Sequence, residues 1–361
     1  MKRVVVCCDG TWNEPDQKAG GAGCPTNVVK LAALVPPSDT DTEQRVLYHR
    51  GIGSDETRLR RWIEGATGLG ITAALVDCYR WLIRNYLPGD ELYFFGFSRG
   101  AYTARSLAGF VRNSGILRPE NEDKVPDALR LYRSRDRRTE PKAAASRLFR
   151  QSYAWSLTTP IKCIGVWDTV GSLGVPNTMI QGVLKHVFRV KREFHDTDLS
   201  STVAFAFHAV AIDERRQPFL PTIWTQSDDG ARAGQHIEQV WFAGCHSDIG
   251  GGVSSSELSD LTLAWMVDRA RQTGLVLLPV ETIGPPDFSA FKPATAGPVH
   301  ESLTWFYQLF FPSGVRSIDV MEEATHESIS PKAVVRWKEL SNWRPAALAD
   351  YLSRKGEPTP L

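Results

Sequence analysis

Apolar residues along the chain fall into short unbroken runs, separated by longer stretches with a helical period. Val4-Val5-Val6-Cys7-Cys8, Arg45-Val46-Leu47-Tyr48, Glu91 to Phe95, Ile161 to Trp167 and Gln239 to Ala243 lack regular polar alternation. Runs of this kind predict strands of a parallel sheet whose two faces are both covered. Ile71, Ala74, Leu75, Cys78 and Leu82 recur at helical spacing in a segment that stops at Leu87-Pro88-Gly89. Asn27 to Val35, Ala101 to Val111 and Leu258 to Gly274 show the same period, the last with Gly274 placed as a C-terminal cap. Strands alternating with helices predict an α/β fold, a mostly parallel sheet with helices on both faces.

Two stretches break the rhythm. Residues 112–158, with the charged run Arg133-Ser134-Arg135-Asp136-Arg137-Arg138, predict a helical insertion or cap over the sheet edge. Residues 276–361 are rich in proline and aromatic side chains and only weakly periodic, and read as a C-terminal extension. No internal repeat or low-complexity tract is visible, so residues 1–361 read as one elaborated domain rather than two.

Composition narrows the function classes. The chain has 361 residues, 42% of them hydrophobic, which is enough for a large core. Its net charge of +1, from 42 basic and 41 acidic residues, argues against a nucleic-acid partner, whose footprint is strongly basic. The six cysteines have no metal-like spacing and read as reduced thiols packed in a core, as in a reducing compartment. The start, MKRVVVCCDG, is too short in apolar residues for a signal peptide, and no later run of 18 could span a bilayer. The expectation is a soluble cytoplasmic protein, with export by a route that needs no signal peptide left open.

One stretch changes the picture: Gly96-Phe97-Ser98-Arg99-Gly100 joins a predicted strand to a predicted helix. Gly-x-Ser-x-Gly at such a seam is the nucleophile elbow of α/β-hydrolases, where a tight turn demands small neighbours and holds the serine above the sheet. Gly96 and Gly100 supply the small positions, and the backbone N–H of Arg99 is placed to receive an oxyanion. A dinucleotide-binding loop would need Gly-x-Gly-x-x-Gly, which is absent here. A serine needs a base to take its proton and an acid to orient that base. Asp168, at the end of the run Ile161 to Trp167, is the leading acid, with Asp213 in "AIDERRQPF" as its rival. The neighbours of Asp213 (Glu214, Arg215 and Arg216) read instead as a surface salt-bridged helix end. His246, on a glycine-rich loop just past Val240 to Cys245, is the leading base, and His208 in "FAFHAVAI" reads as a packed or supporting histidine. The loop Cys8-Asp9-Gly10-Thr11 after the first strand is the candidate for a second oxyanion donor, through the Gly10 or Thr11 N–H, with Asp9 bracing it.

Rival chemistries are weaker. "DGT" after a strand resembles a haloacid-dehalogenase phosphatase loop, but the nucleophile position two before Asp9 is Cys7. Ser227-Asp228-Asp229-Gly230 and Ser247-Asp248 lack the ligand spacing of an EF-hand and read as turns, so no metal and no cofactor is expected.

With these residues in place, the chain resembles a bacterial and fungal α/β-hydrolase family long catalogued as a domain of unknown function, which includes phospholipase effectors delivered by type VI secretion. The matching stretches are "CDGTWN" (8–13), "TNVVKLAALV" (26–35), "GFSRGAYTARSLAGFVRNSGIL" (96–117), "IGVWDTVGSLG" (164–174), "HAVAIDERRQPF" (208–219), "VWFAGCHSDIGGG" (240–252) and "LSDLTLAWMVDRARQTGL" (258–275). The resemblance implies a serine hydrolase with Ser98 as nucleophile and a triad pattern that maps onto Ser98, Asp168 and His246. In the effectors it implies action on phospholipid acyl esters. This chain shows no long additional membrane-engaging region, and its apolar-aromatic run Leu303 to Pro312 reads as core. The expected function is therefore hydrolysis of carboxylic esters, of lipids or phospholipids, through an acyl-enzyme, with transient contact at a membrane surface. An acyltransferase or thioesterase on the same residues, or a non-catalytic interaction module, are the alternatives.

Overall fold

Seven parallel strands form one sheet. The structure, a computed structural model, describes residues 1–10, 18–19, 22–38, 42–51, 69–170, 199–284, 290–302, 313–318 and 323–356. The strands are β1 (Arg3–Cys8), β2 (Gln44–His49), β3 (Glu91–Phe97), β4 (Ile161–Trp167), β5 (Val203–Ala211), β6 (His236–Phe242) and β7 (Glu327–Ile329). Their spatial order is β2-β1-β3-β4-β5-β6-β7, every neighbouring pair being parallel. The helices between them are α1 (Asn27–Leu34), α2 (Leu69–Asn85), α3 (Arg99–Ser114), α4 (Val125–Arg133), α5 (Ala144–Tyr153), α6 (Asp228–Arg232), α7 (His246–Gly250) and α8 (Glu257–Gln272). The last two, α9 (Pro331–Glu339) and α10 (Ala346–Lys355), flank no crossover.

The unbroken apolar strands bury both faces, and the sheet divides the core into two layers. Successive side chains alternate sides: Val4, Val6, Leu92 and Phe94 pack with Tyr79 and Leu82 of α2 and Leu107 and Phe110 of α3. Val5, Cys7, Tyr93 and Phe95 pack on the opposite face with Val28 and Leu31 of α1 and Leu263 and Met266 of α8. Helix α8 ends as its sequence predicts: Gly274, at φ +101°, follows the last turn, and its N–H reaches the Arg271 carbonyl at 2.9 Å. All six cysteines are buried and none is in a disulfide, as thiols in a core.

Three features differ from the sequence pattern or extend it. Strand β5 was not announced by its sequence, because the alanines and the central His208 of VAFAFHAVA dilute the apolar signal. Strand β7 has three residues, too few for any period to show. Its sheet edge is covered by a third apolar cluster that joins Trp241 to Ile318, Ile329, Val334 and Leu348 of the C-terminal segment. The helices within 112–158 pack on the outer side of α3 and on α2, where Tyr132 stacks on Phe110 at 5.3 Å and Arg84 pairs with Glu122 at 2.6 Å. The run Leu303 to Pro312 lies outside the described residues.

The carboxyl ends of β1, β3, β4 and β6 share one edge of the sheet. The ladder continues past them: the N–H of Ser98 donates to the Trp167 carbonyl at 3.1 Å, and that of Asp168 to Ala209 at 2.8 Å. This register sets residue 98 beside residue 168.

Candidate active site

Ser98 occupies the turn between β3 and α3 at φ +58° and ψ −122°, a conformation that L-residues rarely adopt. Such a backbone costs on the order of 1–3 kcal/mol and persists only where the surroundings enforce it. They do so here. A side chain at Gly100 would run into the carbonyls of Cys8 and Asp9, and one at Gly96 into the Gly100 carbonyl. Strand and helix can therefore approach closely only with glycine at both positions. Arg99 begins α3, so its N–H belongs to the first turn, where amides have no partner within the helix.

Three side chains from three strand ends meet at this turn. His246 Nε2 lies 2.8 Å from Ser98 Oγ, and His246 Nδ1 lies 2.6 Å from Asp168 Oδ2. The residues are 148 and 78 positions apart in sequence and are joined by the parallel register. Nδ1 facing a carboxylate and Nε2 facing a hydroxyl define one neutral tautomer, with the proton on Nδ1 and Nε2 free to accept from the serine. Asp168, like Ser98, has positive φ (+39°), which turns its carboxylate off the strand toward the histidine.

Sequence reasoning missed the partner on the far side of Asp168. Arg316, from the C-terminal segment, places Nη1 2.6 Å from Oδ1 and Nη2 3.0 Å from Oδ2. The Ala211 N–H adds a donor to Oδ1 at 3.0 Å. Burial pushes the Asp168 carboxyl upward, but the Arg316 guanidinium and the His246 imidazole outweigh it and hold it well below the usual carboxylate range. Burial also lowers His246, with Asp168 and Glu214 opposing and Arg216 assisting.

The expected exposed helix end around Asp213 is not what forms. The segment is a loop in which Arg215 stays exposed, near Glu301 at 3.7 Å, while Glu214 turns inward, is fully buried and forks onto Arg216 at 2.8 and 2.9 Å. Glu214 Oε2 accepts the His246 backbone N–H at 3.2 Å. The Arg216 guanidinium lies 3.6 Å from the Phe219 ring centre, and the edge of Phe219 meets the His246 ring at 5.0 Å. Asp213 itself accepts from the Gly244 N–H at 2.7 Å and from Trp343 Nε1 at 3.0 Å, so it braces the loop that carries His246. His208 lies behind Asp168: its Nε2 accepts the Thr169 N–H at 3.1 Å and its Nδ1 faces Gln239 Oε1 at 3.2 Å.

Asp9 sits at the end of β1 with its carboxylate held by Thr26 Oγ1 at 2.7 Å and by the Tyr48 hydroxyl at 2.8 Å. The Gly10 N–H donates to Asp9 Oδ1 at 2.6 Å, so in this arrangement it points at its neighbour and away from an incoming oxyanion. Thr11 lies outside the described residues. Ser227 caps α6, accepting the Gly230 N–H, and Asp229 pairs with Lys142, while Asp248 takes the Cys245 N–H at 2.9 Å. Among the described residues no group of three or more His, Cys, Asp or Glu side chains is arranged to hold a metal ion, and no helix is long and apolar enough to cross a membrane.

The parallel sheet, with a serine, a histidine and a carboxylate gathered at its carboxyl edge, is an α/β architecture of the α/β-hydrolase kind. Residues 2–269 match the family described as "T6SS, Phospholipase effector Tle1-like, catalytic domain", and the chain belongs to that family. It is similar to "Uncharacterized protein YEL023C" of Saccharomyces cerevisiae, at 28% identity over 242 residues. That match takes in 62% of this chain and 33% of the yeast protein, so this chain spans a minor part of its relative's length. It is also similar to an uncharacterized protein from Pseudomonas aeruginosa of known crystal structure, at 17% identity and a TM-score of 0.45, over 81% of this chain and 49% of that one.

Proposed function

We propose that the chain is a serine hydrolase that cleaves carboxylic esters of lipids, phospholipid acyl esters above all, through an acyl-enzyme on Ser98. The observation that carries this reading is the hydrogen-bonded line Ser98 Oγ, His246 Nε2, His246 Nδ1, Asp168 Oδ2 at 2.8 and 2.6 Å. In the first half-reaction Ser98 Oγ attacks the ester carbonyl carbon while His246 Nε2 takes the hydroxyl proton. Asp168 stabilises the imidazolium that forms. The Arg99 N–H, at the amino end of α3, stabilises the oxyanion, with the Gly10–Thr11 loop as the second donor once Gly10 turns from Asp9. His246 then passes its proton to the departing alkoxide as the C–O bond breaks. In the second half, His246 deprotonates water, which attacks the acyl carbon, and Ser98 leaves with the proton as the fatty acid departs.

The family description supports lipid as the substrate class and type VI secretion as the route of delivery. Such a substrate is met at a membrane surface. The test is hydrolysis of p-nitrophenyl butyrate, p-nitrophenyl palmitate and a phospholipid panel by wild type and Ser98→Ala, with fluorophosphonate labelling in parallel. Turnover and labelling that both vanish in Ser98→Ala support the proposal. Wild type that neither turns over nor labels sinks it, in favour of a binding module.

A further inference from the structure

Arg316 lies 47 positions beyond residue 269, where the family match ends, yet it makes four hydrogen bonds at the edge of the site. Two go to the Asp168 oxygens, and two anchor the guanidinium itself, Nη1 to the Ala211 carbonyl at 2.9 Å and Nη2 to the Phe219 carbonyl. The segment that carries it is tied down on either side. The Gly314 N–H donates to the Arg215 carbonyl at 2.8 Å, and Ile318 is buried in the cluster around Trp241 and Leu348. The Arg316 side chain is 2% exposed and that of Asp168 is 0% exposed.

We propose that Arg316 is a positioning residue of the Ser98 site, its planar fork fixing the Asp168 carboxylate and through it the ring of His246, so that the C-terminal segment is part of the active unit. The proposal rests on the reading of Ser98, His246 and Asp168 given above. A carboxylate in a dry site needs more than one imidazole to remain charged. Four donors reach Asp168: two from Arg316, one from Ala211 and one from His246. With both oxygens engaged, the carboxylate is oriented so that Oδ2 faces His246 Nδ1 at 2.6 Å. A lysine could supply the charge, but a single ammonium cannot hold both oxygens in one geometry.

The same contact sets the proton affinity of His246. The charged groups facing its ring are Asp168 from β4, Glu214 and Arg216 from the loop after β5, and Arg316 across the carboxylate. Ser98 and the rings of Phe97 and Phe219 are the neutral neighbours. Arg316 therefore offsets part of the charge with which Asp168 would hold a proton on the imidazole. Its removal favours the imidazolium, and the His246 midpoint moves to higher pH.

The experiment is an NMR titration of His246, with ¹³C-labelled histidine and His246→Gln for assignment, in wild type, Arg316→Gln and Arg316→Lys. Thermal melts and the rate of Ser98 labelling by a fluorophosphonate are read on the same samples. Arg316→Gln is expected to raise the His246 midpoint by about one pH unit. Arg316→Lys is expected to leave the midpoint near wild type and to slow labelling about tenfold or more, since orientation is lost while charge is kept. An arginine that only pins the chain would lower the melting temperature and leave both other readouts unmoved, and that result overturns the proposal. Should Arg316→Gln not fold, the labelling rate of Arg316→Lys decides. The titration reads His246 whether or not the wild type reacts with the probe, so an inert Ser98 and an idle Arg316 give different results.

Discussion

The backbone N–H of His246 donates to Oε2 of Glu214 at 3.2 Å, and that carboxylate has no exposed side-chain surface. Burial alone would push the Glu214 carboxyl up, but its fork with Arg216 outweighs burial and holds it below the ordinary value. The pair forms a closed circuit: Glu214 fixes the start of α7, Arg216 fixes Glu214, and Phe219 wedges between Arg216 and the imidazole.

Glu214→Ala is expected to slow ester turnover by about tenfold to a hundredfold, because small displacements of a proton-transferring group cost that much. Glu214→Gln keeps an acceptor for the His246 N–H and is expected to lose less. Steady-state kinetics of the two variants check this. Equal losses in both would show that the charge on Arg216, rather than the position of His246, is what matters.

The pH profile has a defined sign. His246 must be neutral to accept the Ser98 proton, and burial lowers its proton affinity from the ordinary value of 6.5. Asp168 stays ionised, held far below the usual carboxylate range. The acid limb of kcat/KM is therefore a single ionisation with its midpoint below 6.5. A limb above that value, measured on a soluble ester, would show that His246 is better solvated than its burial indicates.

Much of this arrangement was legible in the sequence because strand ends carry it. Ser98, Asp168 and His246 each follow an apolar run directly, and a parallel sheet brings such ends to one edge. Gly96 and Gly100 could be read for the same reason, since a tight strand-to-helix turn leaves no room for a Cβ. Arg316 could not be read. It follows no strand, its segment Ser313 to Ile318 has no periodicity, and its partner lies 148 positions earlier. Glu214 and Arg216 misled for a different reason: adjacent opposite charges usually mean a solvated surface, and only the three-dimensional packing shows that this pair is buried.

His208 supplies a stability prediction separate from catalysis. Its Nε2 accepts the Thr169 N–H and its Nδ1 faces a carbonyl-type oxygen, so the neutral ring satisfies both contacts and a proton on Nε2 would break one. Burial first, and the nearby Arg105 charge second, lower it from 6.5 to about 3. The unfolded chain binds this proton more tightly, so stability falls as pH drops from 6.5 toward 3. Between pH 7 and pH 5 this group alone removes about 2 kcal/mol. Urea unfolding at the two pH values is expected to show a smaller difference in His208→Gln than in wild type, even though the variant starts less stable. An unchanged difference would place the acid lability elsewhere.

Lys30 of α1 and Asp260 of α8 give the clearest test of the packing beneath the site. Their side chains meet at 2.7 Å with 1% and 0% exposure, and Asp260 Oδ2 also takes the Ser256 hydroxyl and the Lys292 N–H. Beside them Asn27 donates to the carbonyls of Ile249 and Ser259 at 3.0 and 2.8 Å, linking both helices to α7 and so to His246. Removing one member of a buried pair strands the other charge. Asp260→Ala is therefore expected to cost about 3–5 kcal/mol in urea unfolding. In Lys30→Met/Asp260→Leu neither charge remains, and much of that loss is expected to return, less the contribution of the Lys292 and Ser256 contacts. The coupling from the double-mutant cycle is the decisive quantity. A single substitution that costs less than about 1 kcal/mol would mean that water reaches Lys30, and that the ion pair adds little to the apolar contacts and the Asn27 hydrogen bonds that hold α1 to α8.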